Sequence, residues 1–183
     1  MTSTAPRTQT WKVAPALVSS AEAAALLRDY YTEVSHRYHQ LHLGRPSTPA
    51  EIEEGLAATP SGDLAPPTGL FLLARYGDEP AGCAGLRILD PHTVELTRVF
   101  VRPALRGLGG GARLLVAAER TAHDLGAERI VLDTRLDLVE ARALYLRHGY
   151  VEIPAYNDGT YAEIWYGKQL PCSRSRRRRR GFP

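Results

Sequence analysis

The sequence predicts an α/β fold with a mixed, mostly antiparallel sheet flanked by helices. Three patterns carry this expectation. Two capped helical segments come first. Two near-continuous apolar runs and a third strand segment follow, separated by turn signals, and they read as a strand meander. The chain then alternates helix, strand, helix, strand, strand, and the first of these helices opens on a run of glycines.

The elements follow in order along the 183 residues, a length that suits one domain. Trp11 to Ala16 reads as a short strand. A helix is expected from Ser19, where Ser19-Ser20-Ala21-Glu22 fits a capping box, and it runs to about Gln40. A second helix starts at Thr48-Pro49-Ala50-Glu51, with Thr48 as cap, Pro49 at the first helical position and Glu51 reaching back, and ends near Ala57. Residues 59–69, rich in proline and glycine, form a loop. Leu70 to Tyr76 and Ala81 to Leu89 read as a hairpin of buried strands around Gly77-Asp78-Glu79-Pro80. Glu95 to Val101 is the third strand, with Glu95, Thr97, Val99 and Val101 expected on one face. The next helix spans about Ala112 to Leu125 and ends on Gly126. Arg129 to Thr134 is a strand, Asp137-Leu138-Val139-Glu140 a capping box opening a helix that stops at His148-Gly149, and Tyr150 to Ile153 and Tyr161 to Tyr166 a last pair of strands.

Composition narrows the function classes. No apolar run approaches the roughly 20 residues a membrane-spanning helix needs. Residues 1–12 lack the apolar core of a signal peptide, so a cytoplasmic protein is expected. Two cysteines, Cys83 and Cys172, make neither a disulfide framework nor a zinc cluster. The net charge of +3 is uneven, because Arg174 and Arg176 to Arg180 crowd the last ten residues. Without those six arginines the rest has 17 basic against 20 acidic side chains, or −3. Residues 171–183 are therefore expected to be a solvated, disordered tail dispensable for catalysis, with nucleic acid as at most a weak partner through it.

The segment Arg106-Gly107-Leu108-Gly109-Gly110-Gly111 between a strand and a helix without acids in its first turn is an anion site in outline. The first N–H groups of a helix lack internal partners, the helix dipole is positive there, and glycines let a phosphate approach bare backbone. Two pyrophosphate readings compete with a plain glycine turn. Gly107-x-Gly109-x-x-Ala112, with Asp133 about 20 residues on, also satisfies a dinucleotide fingerprint. Against it, five residues, Arg102 to Arg106, separate the strand from the first glycine, and too little chain follows Asp133. A Walker loop is excluded, since no Lys-Ser or Lys-Thr follows the glycines.

Val99 to Ala112, with Arg106, Gly109 and Gly111 in an Arg-x-x-Gly-x-Gly pattern, resembles the acyl-CoA signature of the GNAT superfamily of N-acetyltransferases. Glu140-Ala141-Arg142-Ala143-Leu144-Tyr145-Leu146-Arg147-His148-Gly149-Tyr150 resembles that family's second signature. The resemblance runs from about Gly69 to Leu170 and implies a single GNAT-type domain over residues 1–170. It implies acetyl-CoA as the acyl-donor substrate and no metal. Val99, Phe100 and Val101 would pair through backbone with the pantetheine arm and supply an oxyanion donor. Arg106, Gly107, Leu108, Gly109, Gly110, Gly111 and Ala112 would wrap the pyrophosphate. One position departs: Leu138 stands where the family often has an asparagine bonded to the cofactor arm, so that contact is not carried over.

The implied activity is transfer of an acetyl group to a primary amine of a small molecule, directly within a ternary complex. Acetylation of a protein lysine or N-terminus, and a non-catalytic acyl-CoA-binding module, are the alternatives, and a homodimer is left open. Tyr145, which the resemblance sets near the CoA sulfur, is the candidate acid. A phenol near pKa 10 stays protonated at neutral pH beside a thiol near 8.5. A core aromatic is the rival reading. Glu95 is the candidate general base, through a water, with an exposed strand-end carboxylate as its rival. Tyr38, His39 and the loop Pro60 to Thr68 are the candidate acceptor pocket. Cys83 reads as a buried thiol, and His36, His39 and His42 as surface or pocket histidines, because His42 leaves the face the other two share.

Overall fold

The computed structural model describes residues 9–171, so the arginine-rich segment and Cys172 lie outside the described residues. Seven strands form one sheet in the order β1-β2-β3-β4-β5-β7-β6. They are β1 (Trp11–Ala16), β2 (Gly69–Tyr76), β3 (Glu79–Asp90), β4 (Thr93–Val101), β5 (Arg129–Thr134), β6 (Val151–Ile153) and β7 (Ile164–Gln169). Every neighbouring pair is antiparallel except β4 and β5, which run parallel. Four helices flank the sheet: α1 (Ala21–Leu43), α2 (Pro49–Ala58), α3 (Gly110–Asp124) and α4 (Val139–Arg147). The expected α/β class with a mixed, mostly antiparallel sheet holds.

Strand alternation feeds two cores. On β2, Leu72 and Ala74 point to one face and meet Leu114, Leu115, Ala118 and Ala122 of α3. Phe71 and Leu73 point to the other and meet Ala23 and Leu26 of α1. Cys83 is fully buried in this second core, as expected, and burial pushes its thiol up to about 12.

Several local expectations shift. Ser20, not Ser19, caps α1, its hydroxyl accepting from the Ala23 amide, so the Ser19–Glu22 box is not formed. The helix continues to Leu43 and ends on Gly44 at φ +68. The Thr48–Glu51 box is present in both directions. Helix α3 begins two residues earlier than expected, at Gly110, because Gly109 itself takes the left-handed cap position. Asp137 does not cap α4: its carboxylate is taken by the Arg135 guanidinium at 2.8 and 2.9 Å, and the cap residue is Leu138 with no side-chain bond. The last strand covers Ile164–Gln169, three residues beyond the expected end.

The largest departure is in β4. Between the pairs Cys83–Phe100 and Gly85–Thr97 the strand carries one extra residue, and Arg98 sits there at φ +52. This bulge exchanges the faces. Val94 and Leu96 before it, and Val99 and Val101 after it, serve the α3 core, whereas Phe100 serves the α1 core. The expected common face of Glu95, Thr97, Val99 and Val101 is thereby broken.

The α2 cap offers a direct check. Thr48→Ala removes the hydroxyl that accepts from the Glu51 amide at 3.3 Å. Such a cap is worth about 1 kcal/mol, so thermal unfolding should move down by roughly 2–4 °C for a domain of this size. An unchanged midpoint would show that the box contributes nothing in solution.

Candidate active site

Strands β4 and β5 pair over only three positions, Thr93–Arg129, Val94–Ile130 and Glu95–Val131. Beyond Glu95 they part, while β5 stays paired with β7 through Thr134. The β4 edge from Leu96 to Val101 therefore faces a cavity of about 650 Å³ instead of a strand. From the α3 side, the glycine loop with Leu138, Ala141, Leu144 and Tyr145 of α4 lines it. From the α1 side, Tyr30, Tyr31, Tyr38, Arg98, Asp133 and Tyr161 line it.

The loop has the shape its glycines require. Gly107 and Gly109 stand at φ +79 and +84, a region costly for residues with a Cβ, and a Cβ on either would enter open space. Gly110 is needed for a different reason: a Cβ there would meet the Trp11 ring at 2.5 Å. Trp11 also donates its indole N–H to the Leu108 carbonyl at 2.7 Å, which ties strand β1 to the loop. With no acid in the first turn of α3, the free N–H groups beyond Gly109 form an anion cradle. The donor set suits a pyrophosphate, and the open β4 edge suits an amide-bearing arm.

The cofactor candidates gather accordingly. Val99, Phe100, Val101, Arg106, Gly107, Gly109, Gly110, Gly111 and Ala112 all line the cavity. Leu108 does not; its side chain is exposed and its carbonyl is held by Trp11. Arg106 donates to the Val101 carbonyl at 2.9 Å and to Glu33 at 2.5 Å, with its guanidinium 5.8 Å from the Phe100 ring centroid. Leu138 lines the cavity and offers no amide there.

Tyr145 is buried yet lines the cavity, with its ring 5.8 Å from Tyr150 and 6.2 Å from Tyr166. Burial, then the neighbouring Tyr30 and Asp133, push its phenol above the usual value. Glu95 is buried and does not line the cavity. Arg87 is ion-paired to its carboxylate, and the Tyr156 hydroxyl donates to it at 2.9 Å. Its reading as an exposed strand-end carboxylate is overturned by this burial. Three carboxylates line the cavity: Glu33 and Glu140, ion-paired with Arg106 and Arg37, and Asp133, two residues past the last β4–β5 pair and without a cationic partner among the described residues. Asn157 donates to Asp133 at 2.7 Å and to Glu95 at 3.5 Å, so one amide bridges both. In the sequence Asp133 stands out only as the acid about 20 residues past a dinucleotide fingerprint. Its place at the end of β5, after an apolar run, is the one sequence signal that could mark it.

Tyr38 and His39 line the cavity. Tyr38 packs on Tyr161 at 5.1 Å, and His39 Nδ1 is bonded to the Ser47 hydroxyl at 2.5 Å. His36 bonds the Ser47 amide instead, and no group of side chains able to hold a metal is present among the described residues. The loop Pro60 to Thr68 does not line the cavity; Asp63 within it is spent on Arg87 at 2.6 Å. Helix α1 is held across the opening by Arg135, which donates to the Val34 carbonyl at 2.8 Å, and by Arg37, which reaches the Asp137 carbonyl at 2.7 Å and Glu140 at 3.2 Å.

Comparison with known proteins bears on this arrangement. The family model described as "Acetyltransferase (GNAT) family" matches residues 20–150. The chain belongs to the GNAT acetyltransferase family. An uncharacterised N-acetyltransferase of Schizosaccharomyces pombe is 32% identical over 111 residues, 60% of this chain and 68% of that protein. An IAA acetyltransferase of Azospirillum brasilense is 33% identical over 90 residues, 49% of this chain and 59% of that protein. The fold is also that of a PaiA N-acetyltransferase from Thermoplasma acidophilum solved in complex with coenzyme A, with a TM-score of 0.67 at 16% identity, covering 88% of this chain and 99% of that one. The GNAT chain is thus an acyltransferase, and among its described residues no helix is long and apolar enough to cross a membrane.

The Trp11 contact yields a test of the loop. Trp11→Phe keeps an aromatic ring beside Gly110 and removes the bond to Leu108. A single such bond is worth about 1 kcal/mol, so the dissociation constant for CoA should rise by roughly 5-fold in calorimetry, with the unfolding midpoint little changed. Unaltered affinity would show that the loop is ordered without β1.

Proposed function

We propose that this GNAT enzyme uses acetyl-CoA to acetylate the primary amine of a small molecule, by direct attack with both substrates in the cavity. The observation that carries the proposal is the parting of β4 from β5, which opens one cavity to both faces of the sheet. The donor enters along the glycine loop and the β4 edge. The acceptor lies among Tyr30, Tyr31, Tyr38, His39 and Tyr161. A volume of about 650 Å³ under a clamped α1 favours a small molecule over a protein segment.

Three demands of the chemistry assign roles. The amine is mostly ammonium at neutral pH and must lose a proton. Asp133 faces the cavity and, unlike Glu33 and Glu140, has no cationic partner among the described residues, so it takes that proton. Glu95, behind it and paired with Arg87, acts on Asp133 through Asn157, and Glu95 as base through a water is the second reading. The carbonyl oxygen gains charge during attack, and backbone N–H groups of the free Val99–Val101 edge are suited to hold it. The departing thiolate needs a donor, and the Tyr145 hydroxyl has no hydrogen-bond partner among the described residues. An ordinary phenol already lies above a thiol, and burial raises that of Tyr145 further, so complete transfer is uphill. Its contribution is a hydrogen bond to the thiolate as it forms.

Turnover of acetyl-CoA with an amine panel, followed by release of the CoA thiol, tests the proposal. Tyr145→Phe should lower kcat by about 10²-fold with acetyl-CoA affinity nearly unchanged. Wild-type turnover, with chemistry rate-limiting, would make Tyr145 a packing residue. Asp133→Asn should cost about 10²-fold or more, and more than Glu95→Gln. The opposite order would return the base role to Glu95.

A further inference from the structure

Most of the arginines that line the cavity are spent on ion pairs. Of the five arginines that line it, Arg37 is paired with Asp137 and Glu140, Arg106 with Glu33, and Arg135 with Asp137. Arg147 is exposed on the last turn of α4, the helix that packs with α3. Arg98 is half-buried and has no carboxylate partner among the described residues. Its Nε is buried without a hydrogen bond. Its terminal nitrogen reaches only the Thr59 and Pro60 carbonyls, at 3.3 and 3.5 Å. A guanidinium offers five donors and strongly prefers a bidentate anion to two long carbonyl contacts.

Its position is set by the bulge. Arg98 takes φ +52, a backbone state disfavoured for side chains with a Cβ, at the point where β4 has left β5. The contacts with Thr59 and Pro60 place it beside the end of α2, on the acceptor side. Burial pushes the Tyr30 phenol up while the neighbouring Arg98 charge pulls it down and Asp133 pushes it up, so Tyr30 lies within the field of both charged groups. The chamber therefore offers an unpaired cation at Arg98, a carboxylate at Asp133 and an aromatic wall.

We propose that Arg98 binds a carboxylate on the acceptor, and that the acceptor is an amino acid or another amine carrying an acid. The inference rests on the N-acetyltransferase reading of the same cavity. The amine end of such a molecule faces Asp133 and the acetyl carbonyl, and its acid end neutralises Arg98. An amine without the acid leaves the half-buried guanidinium, with its buried Nε, without a partner, which is the arrangement that gives discrimination.

Paired acceptors test this: phenylalanine against phenethylamine, and 4-aminobutyrate against butylamine, with kcat/KM read from released CoA thiol. The wild type should favour the acid-bearing member of at least one pair by about 10-fold or more, the scale of a hydrogen bond to a charged group. Arg98→Met should abolish that preference by lowering kcat/KM for the acid-bearing amine roughly 10- to 100-fold while the plain amine changes little, and Arg98→Lys should recover part of it. Equal use of both members by the wild type, or an equal loss on both in Arg98→Met, overturns the assignment. Calorimetry of phenylalanine and 4-aminobutyrate against the protein–CoA complex gives a readout without turnover. Binding of either that Arg98→Met loses supports Arg98, and binding that survives, or none to the wild type, overturns it. Failure of the wild type to turn over any amine, with CoA still bound, counts against the N-acetyltransferase reading instead.

Discussion

The short register between β4 and β5 governs the rest of the molecule. Three parallel pairs end at Glu95–Val131, and the bulge at Arg98 then turns β4 about its own axis. A strand buried in a sheet normally spends its backbone donors and acceptors on both neighbours. Here the β4 edge from Leu96 onward pairs with β3 as its one strand neighbour, and the other side opens on the cavity, where Arg106 takes the Val101 carbonyl. The same turn puts Val99 and Val101 toward α3 and Phe100 toward α1, so both cores continue past the gap. A regular strand would close the sheet and leave no route between its faces.

Around this gap, charge is used mainly to hold helices. Arg135 is buried and meets Asp137 in a two-pronged pair, which lowers the Asp137 carboxyl below its usual range, and with Arg37 it fixes α1 over the opening. Arg106 with Glu33 joins α1 to the glycine loop. Arg87 bridges Asp63 and Glu95 behind the site. These pairs gain from partial burial, where screening is weaker than at an open surface. They also sort the ionisable groups into those spent on architecture and those left facing the cavity, Asp133 and Arg98 above all.

The parts of this arrangement legible in the sequence are those with a local cause. Gly107 and Gly109 declare themselves because only glycine adopts their backbone without strain, and the Thr48–Glu51 box closes within one turn of helix. What depends on distant partners was not legible. Asp137 has the spacing of a cap, but Arg135 two residues earlier in the chain binds it once β5 and α1 bring them into place. Ser19 and Ser20 offer the same hydroxyl one residue apart, and only the entry angle of the chain chooses between them. The bulge left no mark, since Arg98 is neither glycine nor asparagine. Glu95 and Asp133 both read as strand carboxylates, and it is the length of the β4–β5 pairing that sends one behind the sheet and the other into the cavity.

The claim that the parted strands receive the acyl donor is tested most directly by amide hydrogen exchange with and without acetyl-CoA. Slowed exchange is expected in peptides covering residues 96–101 and 107–112, where backbone donors face the cavity, and no change across β2 and β3, already paired on both sides. Slowing confined to other segments, or none while acetyl-CoA is bound, would contradict it.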